Sequence, residues 1–216
     1  MRRGALAAAA LPLLLSVVSG CAPSRTMLAD AEGDRAAGFF AGMGRDVTYP
    51  LKASFSGVAL PFSKDAVPFV AGVNAAGPDE ETFGVYDPLG RGVAFLANDG
   101  RRIEISRGPA ADLAGFRGAP PVAAGPLSVA RVLSGVPGFP VEGGETAREG
   151  DGGWSIADGR QALYSDPGRR FLARAEYRLP GMTVSVSYPG RESPGPPDRL
   201  EMAFRWAKIT MRRDPE

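Results

Sequence analysis

Two consecutive stretches near the C-terminus constrain this chain more than any other part of it. Arg170 to Leu179 sets Phe171, Ala173, Ala175, Tyr177 and Leu179 against Arg174, Glu176 and Arg178. After Pro180-Gly181, Met182 to Tyr188 sets Met182, Val184, Val186 and Tyr188 against Thr183, Ser185 and Ser187. Strict alternation fits a half-buried strand, because successive side chains of a strand point to opposite faces of the sheet. On a helix the same residues would be scattered around the cylinder, so this part of the chain cannot belong to a helical bundle. The Pro-Gly step supplies the turn between the two strands.

The pattern recurs upstream. Glu81 to Arg107 reads as three short strands and two tight turns: Phe83 and Val85 alternate with Thr82, Gly84 and Tyr86, and Val93, Phe95 and Ala97 resume the period. Asn98-Asp99-Gly100 is hairpin chemistry, since these residues tolerate the positive φ of tight turns. Asp87-Pro88-Leu89-Gly90 places a Leu where a turn normally shows water a polar side chain. An apolar tip residue either folds back onto the core or is offered to something outside. Tyr49 to Leu60 and Pro68 to Asn74 read as a strand pair, followed by a turn at Gly77-Pro78-Asp79-Glu80. Trp154 to Ala157 and Arg160 to Tyr164 form another hairpin. Leu200 to Met211 reads as a closing strand with Leu200, Met202, Phe204 and Trp206 on one face.

Met27 to Arg45 is a helix candidate that would dock Phe39 and Phe40 on the sheet, with Leu28, Ala31, Arg35, Phe39 and Gly42 at helical spacings. Pro126 to Val136 is a second, of about three turns, stopped by Gly135-Val136-Pro137. Gly108 to Gly125 holds no period, and Phe139 to Gly153 reads as a mobile loop. With 29 Gly and 20 Pro, the chain is expected to be mainly β with a few helices. A sheet of about ten or eleven strands must curl or be covered. Two helices are too few to cover it flat. The expected fold is therefore an unclosed antiparallel β-barrel with a helical lid or plug, enclosing an apolar cavity. Phe83, Val85, Phe95, Tyr177, Val184, Val186, Phe204 and Trp206 are the expected lining.

The N-terminus has its own logic. Arg2 and Arg3 precede an apolar run from Ala5 to Val18, which is too short to span a membrane as a mature helix. Val18-Ser19-Gly20-Cys21 follows, and small residues before the chain's single cysteine resemble the lipobox of bacterial lipoproteins. That resemblance implies cleavage before Cys21, diacylglycerylation of its thiol and acylation of the new amino group. An ordinary secretory leader with a cysteine nearby, or a free structural thiol, is the other reading. The expected organisation is a leader at 1–20, a lipidated tether at 21–26 and one domain at 27–216. With Arg2 and Arg3 set aside, the 25 Lys and Arg fall to 23 against 24 Asp and Glu, a net charge near −1. Such a balance points to no nucleic-acid partner.

Nothing in the sequence assembles a catalytic centre. The absence of histidine removes Ser-His-Asp and Cys-His arrangements and the usual zinc and iron sites. Lys52, Lys64 and Lys208 sit in no phosphate-binding loop and have no Ser three residues earlier. Paired carboxylates for a glycosidase-like mechanism have as candidates Asp79, Glu80 and Glu81, which cluster in a turn, where a charge run usually serves solvation. The chain is read as a non-enzyme that needs no cofactor or metal.

One family resemblance follows from the order of these features. The lipobox, the first helix, the strand pair, the Asp87-Pro88-Leu89-Gly90 hairpin and the helix ending in Leu133-Ser134-Gly135-Val136-Pro137 come first. The Gly153-Trp154 strand, the Leu179-Pro180 step and the late strand with Trp206 complete the series. Together, over about Asp46 to Ile209, they resemble the LolB-type outer-membrane lipoprotein receptors. The resemblance implies an unclosed β-barrel with a helical lid that takes lipoproteins from a LolA-type periplasmic carrier and releases them into the outer membrane. It implies bound acyl chains, an outer-membrane location facing the periplasm, and a membrane-transfer role for Pro88, Leu89 and Gly90. Ala22 after the lipidated cysteine is similar to the pattern of lipoproteins sent to that membrane. The chain departs from the family at Ala71 and Gly72, and at Val132 or Leu133, where aromatic or amide side chains are usual.

Overall fold

The computed structural model describes residues 26–45, 47–61, 65–109, 111, 127–150, 153–193, 195–205 and 207–215. Cys21 and Trp206 therefore lie outside the described residues. Among the described residues the chain builds one antiparallel sheet of thirteen strands with two helices. The first part holds β1 (Thr26–Met27), α1 (Asp30–Met43), β2 (Leu51–Pro61), β3 (Val67–Gly77), β4 (Glu80–Tyr86), β5 (Gly92–Asn98) and β6 (Ile103–Arg107). After α2 (Val129–Leu133) come β7 (Thr146–Gly150), β8 (Gly153–Ala157), β9 (Gln161–Ser165) and β10 (Leu172–Leu179). The last three are β11 (Met182–Ser187), β12 (Arg199–Ala203) and β13 (Ala207–Arg213). Strand order is β1-β7-β8-β9-β10-β11-β12-β13-β2-β3-β4-β5-β6, so β1 and β6 are edges and the sheet does not close on itself.

Alternation decides the inner face. Phe55 of β2 lies opposite Ala71 of β3, which lies opposite Val85 of β4, and Tyr177 of β10 lies opposite Val184 of β11. Most of these inward side chains join a single buried cluster with Phe40, Leu133 and Phe139 from the helices and the α2 loop. The buried face of α1 is Ala36, Phe40 and Met43, one position off the expected stripe. The helix begins only at Asp30, and Leu28 instead bonds the β7 backbone at Ala147. Phe39 sits at the margin of that face, 5.7 Å from the Trp154 ring.

Three expectations need correction. The closing strand is a hairpin, β12 and β13, with Phe204 N–H donating to Ala207 across the turn. The loop between Phe139 and Gly153 contains β7, which bridges β1 and β8. The second helix is a five-residue turn, not three turns: its C-terminal end reverses at Gly135, whose φ of 74° a side chain rarely adopts. The turn between β9 and β10 shows why irregular chain stays ordered here. The Asp166 carboxylate accepts the backbone N–H groups of Gly168, Arg170 and Phe171. Burial pushes its pKa up, but those donors outweigh it and hold the group below the ordinary carboxylate range.

A carboxyl whose folded pKa is depressed contributes stability above its unfolded value, near pH 4, and loses it as pH falls through the folded value. Asp166→Asn is accordingly expected to melt earlier at pH 7 and to lose less of its remaining melting temperature between about pH 4 and pH 2. Thermal melts across that range test this, and a parallel offset at every pH would remove Asp166 from the acid response.

Candidate functional site

The turns of an antiparallel sheet fall at two ends. One end carries the β4–β5 hairpin with Leu89, the β10–β11 turn and the β12–β13 turn; the other carries the β3–β4 and β5–β6 turns and the start of β1. At the second end the concave face is plugged by α2, and the residues after it run across the face to Tyr177 and Gln161, toward the Leu89 end of β9 and β10. Four side chains from the sheet and its loops hold that plug. Tyr188 Oη donates to the Val132 carbonyl at 2.8 Å, Tyr177 Oη accepts from Gly138 N–H at 3.0 Å, and Arg191 Nη1 donates to the Gly135 carbonyl at 2.7 Å. Burial raises the phenol pKa of both tyrosines and lowers that of the Arg191 guanidinium, which is partly desolvated.

The fourth is Glu81, only 2% exposed. Its carboxylate accepts from Ser128 Oγ, from Val129 N–H at 2.7 Å, from Ala130 N–H at 3.3 Å and from Asn98 Nδ2 at 3.2 Å. Asn98 Nδ2 also donates to the Leu127 carbonyl at 2.7 Å. The acidic cluster thus divides: Asp79 and Glu80 are solvated at the turn, and Glu81 turns inward to satisfy the first N–H groups of α2. Sequence reading missed this. The one available signal was parity, since Glu81 shares the inward phase of Phe83 and Val85.

At the Leu89 end the same concave face is apolar and only half-buried. Val85, Ala59, Ile209, Met202, Phe204 and Met182 pack against the core with one side still accessible among the described residues. This mouth is the candidate site. Val85 and Phe204 of the expected lining belong to it. Phe83 lies deeper on the same face, half-buried, while Tyr177, Val184 and Val186 are buried core rather than accessible lining. Phe95 is a correction. A bulge in the β4–β5 ladder leaves Val93 without an opposite residue, pairs Ala94 with Val85 and Leu96 with Phe83, and so turns Phe95 outward, 37% exposed and edge-on to Tyr86. An open groove of about 660 Å³ at the ends of β10 to β12 is lined mostly from the outer face, by Glu176, Arg178, Thr183, Ser185 and Ala203, and only its edge, at Leu179, Met182 and Phe204, meets the mouth. Among the described residues no group of three or more His, Cys, Asp or Glu side chains could hold a metal ion.

The hairpin tip is rigid and outward. Asp87 Oδ1 accepts from Leu89 N–H at 3.0 Å and Arg91 N–H at 2.9 Å, and Oδ2 accepts from Arg91 Nε at 2.7 Å. The Arg91 backbone bond leads in holding the Asp87 carboxyl below its usual range, against slight desolvation and with help from the guanidinium. Gly90, at φ 78°, takes the left-handed position of the turn, and Pro88 beside Leu89 is exposed. Leu89 is 77% exposed, the highest of any large apolar side chain described. Of the two alternatives for an apolar tip, the outward one holds.

No protein-family model matches the chain, and no curated protein does. Among solved structures it is similar to a LolA superfamily protein from Nitrosomonas europaea, with 10% identity, 85% of this chain and 91% of that chain covered, and a TM-score of 0.47. It is also similar to a DUF1329 family protein from Desulfovibrio piger, with 12% identity, 84% and 91% covered, and a TM-score of 0.47.

Proposed function

We propose that this chain is a lipid-anchored receptor of the outer membrane, of the LolB type, that takes acylated proteins from a LolA-type periplasmic carrier and inserts them into that membrane. The observation that carries the reading is the position of Leu89: a fixed, 77% exposed apolar tip at the same end of the sheet as the half-buried apolar mouth. Acyl chains gain about 0.8 kcal/mol per CH₂ on leaving water, so an apolar mouth can receive them without any charged recognition group. Cys21 supplies the anchor, and the bilayer, as the largest apolar phase, is the end of a downhill path. The chain acts as a carrier and not as an enzyme, with no cofactor and no nucleic-acid partner.

A second reading is a lipid-anchored module holding a different lipid or hydrophobic ligand. It is favoured by how much of the concave face is already filled by the protein's own side chains: Tyr177, Leu133 and Val186 are almost fully buried. Depletion separates the two. The receptor reading expects outer-membrane lipoproteins to accumulate in the periplasm on the carrier, and normal sorting would refute it. Mass spectrometry of lipids co-purifying with the detergent-extracted protein identifies the ligand in the second case.

A further inference from the structure

The outer face of the sheet is polar nearly everywhere that it is described. On β10 and β11 it presents Arg174, Glu176, Arg178, Thr183 and Ser185; on β12 and β13, Arg199, Glu201, Lys208 and Arg212. One corner breaks the rule. On β2 the outward positions run Lys52, Ser54, Ser56 and then Val58 and Leu60, and on β3 Asn74 gives way to Val70 toward the Leu89 end. Val70 lies opposite Tyr86, whose ring is 5.8 Å from that of Phe95. Val58, Leu60, Val70, Tyr86 and Phe95 therefore form one apolar band across four strands, on the convex side and beside the hairpin that carries Leu89. Diagonal neighbours on a sheet face are about 7–8 Å apart, close enough for these side chains to make a continuous surface.

We infer that this band is a seat for a lipid surface, and that the domain lies on its side on the bilayer with β2 to β5 down. The inference rests on the anchoring of Cys21 in the proposed function. Thr26 lies opposite Glu149, beside the β7–β8 turn, so the chain enters at the end of the sheet opposite Leu89. Cys21 precedes Thr26 by five residues, which reach at most about 18 Å. An eleven-residue strand such as β2 is about 35 Å long, or roughly 27 Å along the axis of a sheet tilted as in barrels. A domain standing on its Leu89 end would hold Thr26 farther from the bilayer than the tether reaches. Laid on its outer face, the domain brings the band and Leu89 to one plane, and Thr26 no longer stands a strand's length above it. The band is convex and offers no cleft to a compact ligand, which suits a fluid surface. Arg91 and Lys208 stand at its margin, half-exposed and ion-paired with Asp87 and Glu201.

The test uses the full lipidated protein in vesicles of phosphatidylethanolamine and phosphatidylglycerol. Cys21 is the only cysteine and is blocked by its lipid, so Val70→Cys, Leu89→Cys and Thr183→Cys each offer one thiol to a nitroxide. Power saturation is expected to show the labels at 70 and 89 open to oxygen and shielded from a water-soluble nickel chelate, with the reverse at 183. A label at 70 in water while that at 89 is immersed would overturn the seat and leave the transfer loop standing. Labels at both positions in water would overturn both. Shielding of position 70 from oxygen as well as nickel would assign the band to a protein partner or a second copy, and would also overturn the seat.

Discussion

Glu81→Ala is expected to lower the free energy of unfolding by about 3–5 kcal/mol, a large fraction of the 5–15 kcal/mol that domains of this kind possess. The side chain makes few apolar contacts that matter; what is lost is an acceptor. Val129 N–H, Ala130 N–H and Ser128 Oγ all point at its carboxylate, and each buried donor left without a partner costs about 1–3 kcal/mol. Water entering the gap recovers part of the sum. Glu81→Gln keeps one oxygen but presents an amide N–H₂ to donors, so a loss of about 2 kcal/mol is expected. Glu80→Ala, at the same turn but solvated, should change stability by no more than about 0.5 kcal/mol. Urea unfolding measures all three. Hydrogen exchange should further show the amides of residues 128–139 opening first in Glu81→Ala. Equal effects of Glu80→Ala and Glu81→Ala would mean that the plug is latched by packing alone.

That Glu81 was misread as one of a solvated trio shows where local pattern stops being informative. The strands that alternate cleanly, β10 and β11, were legible because Arg174, Glu176 and Arg178 mark their wet face without ambiguity. β5 was not, because Ala94 and Leu96 on one face and Phe95 and Ala97 on the other are all apolar, and Gly92 beside the bulge at Val93 reads equally well as part of the preceding turn. The β12–β13 turn was invisible for a related reason: Phe204-Arg205-Trp206 contains neither Gly, Pro, Asn nor Asp. β7 carries a single inward apolar side chain, Ala147, and owes its form to the strands on either side. Of the candidate site, the Leu89 tip could be read from the sequence because a hairpin turn is local chemistry. The mouth could not, since it is set by where α2 stops filling the concave face. That boundary depends on contacts between residues far apart in sequence, such as Glu81 with Val129 and Tyr188 with Val132.

Leu89→Glu is expected to slow delivery of an acylated protein into vesicles by more than tenfold while leaving its uptake from the carrier unchanged. Burying one Leu in the membrane interface contributes about 1.5–3 kcal/mol, and 1.4 kcal/mol is a factor of ten in an equilibrium, so losing the contact alone predicts roughly ten- to hundredfold. The new carboxylate adds a desolvation cost on any route that brings the tip into the interface. The fold should not suffer, because the turn is fixed by Asp87 and Gly90 and not by the Leu side chain, which is almost free of contacts. Uptake is spared for a separate reason: the mouth is built from Val85, Ala59, Ile209, Met202, Phe204 and Met182, all of which the substitution leaves in place. Leu89→Ala should fall between, with the desolvation cost absent and part of the burial retained. Transfer assays with a labelled lipoprotein separate the two steps, following loss from the carrier and arrival in vesicles independently. If Leu89→Glu delivers at the unaltered rate, the tip has no part in transfer, and the apolar mouth must release its cargo by another face.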